Sequence, residues 1–167
     1  MKNTLPTDKV DDIISQWQTQ HPDFALKSMA ILGRLQSCAA MLEPLLTAKF
    51  AEFGLNYGEF DVLATLRRSG EPFVLSPTEL YSTLMITSGA ITNRLKHLEN
   101  KGLIERRPNP NDSRSLLVAL TDEGKELIDQ AFMAHLENEN RLLEDLSDEM
   151  LENLNQGLKA LLLAWGK

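Results

Sequence analysis

The stretch from Ser76 to Thr121 constrains this chain more than any other, because its hydrophobic period changes from helical to strand-like and each change is punctuated. Ser76, Pro77 and Glu79 supply the cap, the first-position proline and the third-position glutamate of a helix start, and the short helix they open ends near Leu84. Thr87 can cap a second helix, roughly 88 to 101, which Gly102 terminates just beyond its last turn. Residues 103–107 and 115–120 then lose helical period, with Leu116, Val118 and Leu120 alternating, so the run "RRPNPNDSRSLLVALT" over 106–121 reads as the tip of a β-hairpin. Helix, turn, helix, two-stranded hairpin is the order of a winged helix-turn-helix, whose second helix normally enters the DNA major groove.

The flanking segments are helical. Residues 8–20 form a short helix, and a second begins near Ser28, with Leu32, Leu35, Ala39, Leu42, Leu46, Phe50 and Phe53 repeating by threes and fours. Pro44 should bend that helix or mark a junction, and Gly54 ends it. Asn56 with Glu59 opens a helix over 57–69 that closes before Gly70. Thr121, Asp122 and Glu123 open another that runs to about 145, and Ser147, Asp148 and Glu149 open the last. There Leu151, Leu154, Leu158, Leu161 and Trp165 form a seam which, with the stripe over 32–53, suggests an interface between two subunits. The expected fold class is mainly α with a small β-hairpin wing. Its 167 residues suit one domain, with N-terminal helices over 8–55, a DNA-binding lobe over 56–120 and C-terminal helices over 121–167.

Several function classes drop out. The single Cys38 allows neither an intrachain disulfide nor a cysteine-rich zinc site, and His21, His97 and His135 are too scattered for a metal motif, so no metal or cofactor is expected. Gly-rich phosphate loops and the common hydrolase and metalloprotease signatures do not occur, which argues against an enzyme. The start lacks a signal-peptide run and the late ALLLAW segment is too short to span a bilayer, so a cytoplasmic protein is expected. The net charge of -7 is unevenly spread: residues 1–85 carry -3, residues 86–114 carry +3 and residues 115–167 carry -7. A basic segment inside an acidic chain points to a polyanion site, although chance clustering on a solvated surface gives the same count.

Within the second helix, Ile91, Leu95 and Leu98 make the inward stripe, leaving Gly89, Asn93, Lys96, His97 and Asn100 outside with Thr92 on the flank. Asn93 can hydrogen-bond adenine, Ser88 and Thr92 can meet phosphate or base, Lys96 can meet phosphate, and Gly89 lets backbone approach closely. In the hairpin, Arg106, Arg107 and Arg114 suit phosphate or minor-groove contacts, and Asp112 can cap the turn or orient Arg114. A plain amphipathic surface helix beside an Asx-type turn with a local ion pair would look the same.

The run "TSGAITNRLKHLENKGLIERRPNPNDSRSLLVALTDEGKEL" over 87–127 resembles the MarR family of bacterial transcriptional regulators, most specifically at Asp112 to Arg114 and at "LTDEG" over 120–124. The resemblance implies a dimer whose end helices interlock, a palindromic double-stranded DNA target, and often relief of repression by a small ligand. Segments 11–35 and 58–72 resemble the PecS-type, urate-responsive branch, although "HPDF" replaces the more usual "RPDL". That branch implies a ligand site here at Trp17, Arg34, Asp61 and Arg94, able to take urate or another purine.

Those four positions also have a physical reading of their own. Arg94 lies on the shoulder of its helix's apolar stripe and can turn inward, and Asp61 sits among Phe60, Val62, Leu63 and Leu66, where a carboxylate needs a cation or donors. A planar anion could stack on Trp17 and take charge from either arginine, drawing Arg94 and its helix inward so that a DNA-incompetent dimer is favoured. The alternative is an Asp61–arginine bridge bracing two helices, with Trp17 as an anchor. Cys38 raises redox sensing as another possibility, against its reading as a small core residue. A helical protein-interaction module without DNA binding is the remaining class.

Overall fold

The structure is a computed structural model that describes residues 5–84 and 91–166, and the side chains of Ser113 and Arg114 are not described. The chain divides into two compact units, Met1–Thr47 and Ala48–Lys167.

In the first unit, α1 (Lys9–Gln20) is opened by Asp8, whose carboxylate accepts from the backbone N–H groups of Val10 and Asp11, while the Asp11 side chain accepts from the Asp8 N–H. This reciprocal cap satisfies donors that a first turn otherwise leaves unpaired. α2 (Lys27–Ala51) begins in this unit and continues into the next. Pro44 lies inside it without ending it, three residues before the junction of the two units. Helix α1 lies close over Gly33, where a β-carbon would stand 3.5 Å from Val10 Cγ1. None of the α1 residues is buried, and Met29, Ile31, Leu32, Met41, Leu42 and Leu45 of α2 are exposed.

The second unit holds a conventional core. α3 (Tyr57–Arg68) and α4 (Pro77–Thr83) start at Asn56 and Ser76, each with a third-position glutamate closing the reciprocal cap. The described part of the next helix, α5, is Ile91–Asn100, and Gly102 follows it at φ +71, a conformation that favours glycine. Ser88, Gly89 and the expected cap Thr87 lie outside the described residues. α6 (Asp122–Leu142) and α7 (Asp148–Trp165) start at Thr121 and Ser147. Phe50, Leu63, Leu66, Leu80, Leu98, Val118 and Ile128 are fully buried. The Arg67 guanidinium joins α3 to α6 by donating to Asp129 at 2.7 Å. No described helix is long and apolar enough to cross a membrane.

The sheet is larger than the expected hairpin. β2 (Ile104–Asn109) and β3 (Asp112–Leu120) pair antiparallel, and β1 (Val74–Leu75) adds to the other edge of β3 to give the order β1-β3-β2. Two residues carry no alternation that a reader could detect; Val74 and Leu75 become a strand because Ala119 and Val118 present free ladder groups to them. The strands also reach further than 107 and 115, so the tip shrinks to Pro110 and Asn111. The register shifts between Pro108 and Asn109, where the partner changes from Leu116 to Asp112.

Gly124, the glycine of "LTDEG", has a concrete task. A β-carbon there would collide with the Leu103 carbonyl oxygen and stand 2.9 Å from the carbonyl carbon. The first turn of α6 can therefore cross the start of the wing only through a glycine.

Candidate functional site

The local order of α4, α5 and the wing turns the sequence pattern into a two-sided object. Leu95 and Leu98 of α5 are buried and Ile91 half-buried, which forces the intervening residues outward. Thr92, Asn93 and Lys96 are exposed, so these three expected DNA contacts share the solvent side of one helix. On the wing Arg107 is exposed, while Arg106 and Asp112 are half-buried. Arg114 belongs to β3, and its side chain is outside what is described.

The turn at the tip of the wing is built around Asn109. Asn109 Oδ1 accepts from the Asn111 N–H at 2.9 Å, the hydrogen bond of an Asx turn, and Asn109 Nδ2 donates to Ser115 Oγ at 2.9 Å. Asp112 is the first residue of β3, and its carbonyl accepts from Ser115 Oγ at 3.2 Å. The asparagine directly before a proline–asparagine pair was a legible signal for this turn.

The remaining α5 residues bind the helix to α3. Glu59, buried within α3, accepts from Lys101 Nζ at 2.9 Å, and the same ammonium donates to the Gly54 carbonyl. His97, read from sequence as a fully outward residue, is largely exposed, yet its Nδ1 lies 3.9 Å from Glu59 Oε1. Arg94 turns inward: a β-carbon on Gly58 would coincide with its guanidinium and lie 2.9 Å from its Cδ. Arg94 and His97 of α5, with Lys101 just beyond its end, are thus directed at the start of α3, opposite in role to the face of 92, 93 and 96.

The four expected ligand residues fall two and two. Trp17 and Arg34 belong to the first unit, Asp61 and Arg94 to the second. Trp17 stands partly exposed and begins a ladder of rings, 6.0 Å from His21, which in turn stacks on Phe24 at 4.4 Å. Arg34 is already engaged: Nε donates to Asp8 at 2.7 Å and Nη2 to Asp11 at 2.5 Å. Those bonds hold both carboxyls below their ordinary range. Asp61 is buried in α3 with Arg68 Nη1 3.9 Å away. Arg68 was missed, although positions 61 and 68 are seven apart and so share one face of a helix. Burial, followed by the charges of Asp61 and Glu139, pushes the Tyr57 hydroxyl above its usual range. Cys38 is exposed, against its reading as a core residue, as are Met41, Leu42 and Leu45 of the same helix.

Comparison with known proteins places this geometry in a wider set. Residues 53–115 match the MarR family. The HTH-type transcriptional regulator PecS of Dickeya dadantii is 38% identical over 141 residues, covering 84% of this chain and 85% of that one. The multiple antibiotic resistance protein MarR of Escherichia coli is 33% identical over 110 residues, 66% of this chain and 69% of its own. Among solved structures, a mutant MarR from that organism complexed with operator DNA superposes with a TM-score of 0.69 at 29% identity, covering 84% of this chain and 99% of the other.

Proposed function

This chain belongs to the MarR family of DNA-binding transcriptional regulators, and from that premise we propose that it binds a palindromic operator in the cytoplasm as a homodimeric repressor, released by a small anionic ligand such as urate or another purine. No catalytic step is part of this reading. The observation that carries it is the division of α5, with Leu95 and Leu98 buried, Arg94 turned toward α3, and Thr92, Asn93 and Lys96 exposed beside a wing that exposes Arg107. Ser88, Gly89 and Arg114 join that surface on sequence grounds. Asp112 contributes through the wing's turn and Arg106 through the flank of β2. Residues 8–55 and 121–167 serve as the dimerisation helices around the DNA-binding lobe of 56–120. Support for the dimer comes from α7, which buries none of its residues and leaves Leu154, Leu158 and Trp165 of its seam exposed. An apolar seam of that kind needs a partner.

For the ligand, the proposed contacts are Trp17, Arg34, Asp61 and Arg94. An anion would compete with Asp8 and Asp11 for Arg34, and donors of a purine could meet the Asp61 carboxylate. Because Arg94 already lies against Gly58, ligand would act by engaging the guanidinium there and shifting the helix that carries it.

The experiment is protection mapping of duplex DNA upstream of the coding sequence, with wild type and Asn93→Ala, with and without urate. The expected result is a symmetric footprint that weakens with urate, and for Asn93→Ala a changed base preference at one position of each half-site. A footprint indifferent to urate rejects the ligand, and no footprint at low salt rejects the operator reading.

A further inference from the structure

The cations of the DNA-facing lobe are not waiting for phosphate; most already hold a carboxylate of this chain. Arg107 Nη2 lies 2.6 Å from Glu105 Oε1, and its Nε donates to the same oxygen at 2.7 Å. Arg106 Nε reaches Glu99 Oε2 at 3.4 Å, linking β2 back to α5, and Lys101 is held by Glu59. Among the described residues, Lys96 of α5 has no such partner.

These pairs differ in kind. Glu59 is buried, so its bond to Lys101 is part of the lobe's internal bracing. Glu105 and Arg107 are each about half exposed, at 49% and 50%, and stand two apart on one strand, where the pleat puts both side chains on the same face. A DNA phosphate approaching Arg107 presents the same charge and much the same oxygen geometry as the Glu105 carboxylate, so it must take the guanidinium from it. Exposed ion pairs are weak, which makes the exchange feasible. The released carboxylate then remains beside the phosphate, on the same face and within a side chain's length.

We infer that Glu105 limits the affinity of this protein for DNA: its carboxylate competes with DNA phosphate for Arg107, and Glu99 does the same in smaller measure for Arg106. The inference rests on the wing placement proposed above. Non-specific affinity comes from phosphate neutralisation and counterion release, and an arginine already neutralised by its own chain adds little to it. An operator contributes base-edge and groove-shape contacts as well, and those are untouched by the exchange. The competition therefore lowers binding to arbitrary DNA and to the operator by the same factor, because the same ion pair is broken in both complexes.

The test uses the full chain and two duplexes of equal length, one selected from a random library by the wild-type protein and one of random sequence, with anisotropy titrations across a salt series. Glu105→Gln should tighten both duplexes about fivefold near 0.1 M salt and steepen the salt slope of each by about 0.9. Glu99→Gln should act in the same direction and less. In an Arg107→Ala background, Glu105→Gln should do almost nothing, since the competition needs both partners. Tightening of one duplex alone, an undiminished effect without Arg107, or no tightening at all would each overturn the inference while leaving the wing on DNA. Wild-type binding that is indifferent to Arg107→Ala would remove the wing placement itself, and the inference with it.

Discussion

The two units of this molecule are stabilised in opposite ways. In Ala48–Lys167, helices and sheet converge on side chains such as Leu63, Leu66, Leu98 and Val118 that have no exposed surface. In Met1–Thr47, α1 buries nothing and is fastened to α2 by the close approach at Gly33 and by one arginine shared between two aspartates. Apolar burial survives changes of pH and salt, whereas an exposed ion cluster does not. The lesson is one of division of labour. The lobe that must hold α5 and the wing in fixed geometry is the one with a core, and the helix that carries Trp17 is held by charge.

The sharpest way to break the contrast is to open the core. Leu98→Ala should destabilise the Ala48–Lys167 unit by about 2–5 kcal/mol, measured by urea unfolding, because it removes a fully buried side chain under α5. Gly124→Ala comes next. The added methyl meets the Leu103 carbonyl, and a forced shift of that kind costs roughly 1–3 kcal/mol by the same measurement, with the wing's start displaced.

The smallest effect on global unfolding should come from Arg34→Ala, which leaves the urea midpoint of the cored unit in place and releases α1 alone. The Arg34 guanidinium, more than any other cause, holds the Asp8 and Asp11 carboxyls below their ordinary range. A carboxyl depressed on folding contributes stability that is present above its unfolded value, near 3.8, and lost as pH falls through the lower folded value. In a Trp165→Phe background, Trp17 fluorescence should therefore report release of α1 only below about pH 3.8, and Arg34→Ala should abolish that transition. A transition unchanged by Arg34→Ala would show that the charge cluster does not fasten α1.

Much of the frame was legible because its signals are local. Asn56 with Glu59, Ser76 with Pro77 and Glu79, Thr121 and Ser147 each announce a helix start by chemistry confined to four residues, and the structure has helices starting at all of them. The alternation of Leu116, Val118 and Leu120 marked β3 in the same way. The exposure of Thr92, Asn93 and Lys96 followed from period alone, since burying Leu95 and Leu98 leaves them nowhere else to point.

What the chain's order of residues determined by itself, then, was the succession of elements and which face of α5 is polar, because caps and hydrophobic period act over one or two turns. Tertiary structure decided the rest: that Val74 and Leu75 become a strand, that Gly124 is required by a carbonyl twenty-one positions earlier, that Arg94 lies over Gly58, and that Arg106 meets Glu99. Each of these depends on two segments meeting in space. Pairing, close approach and charge matching are properties of such meetings, and no local pattern encodes which partner will arrive.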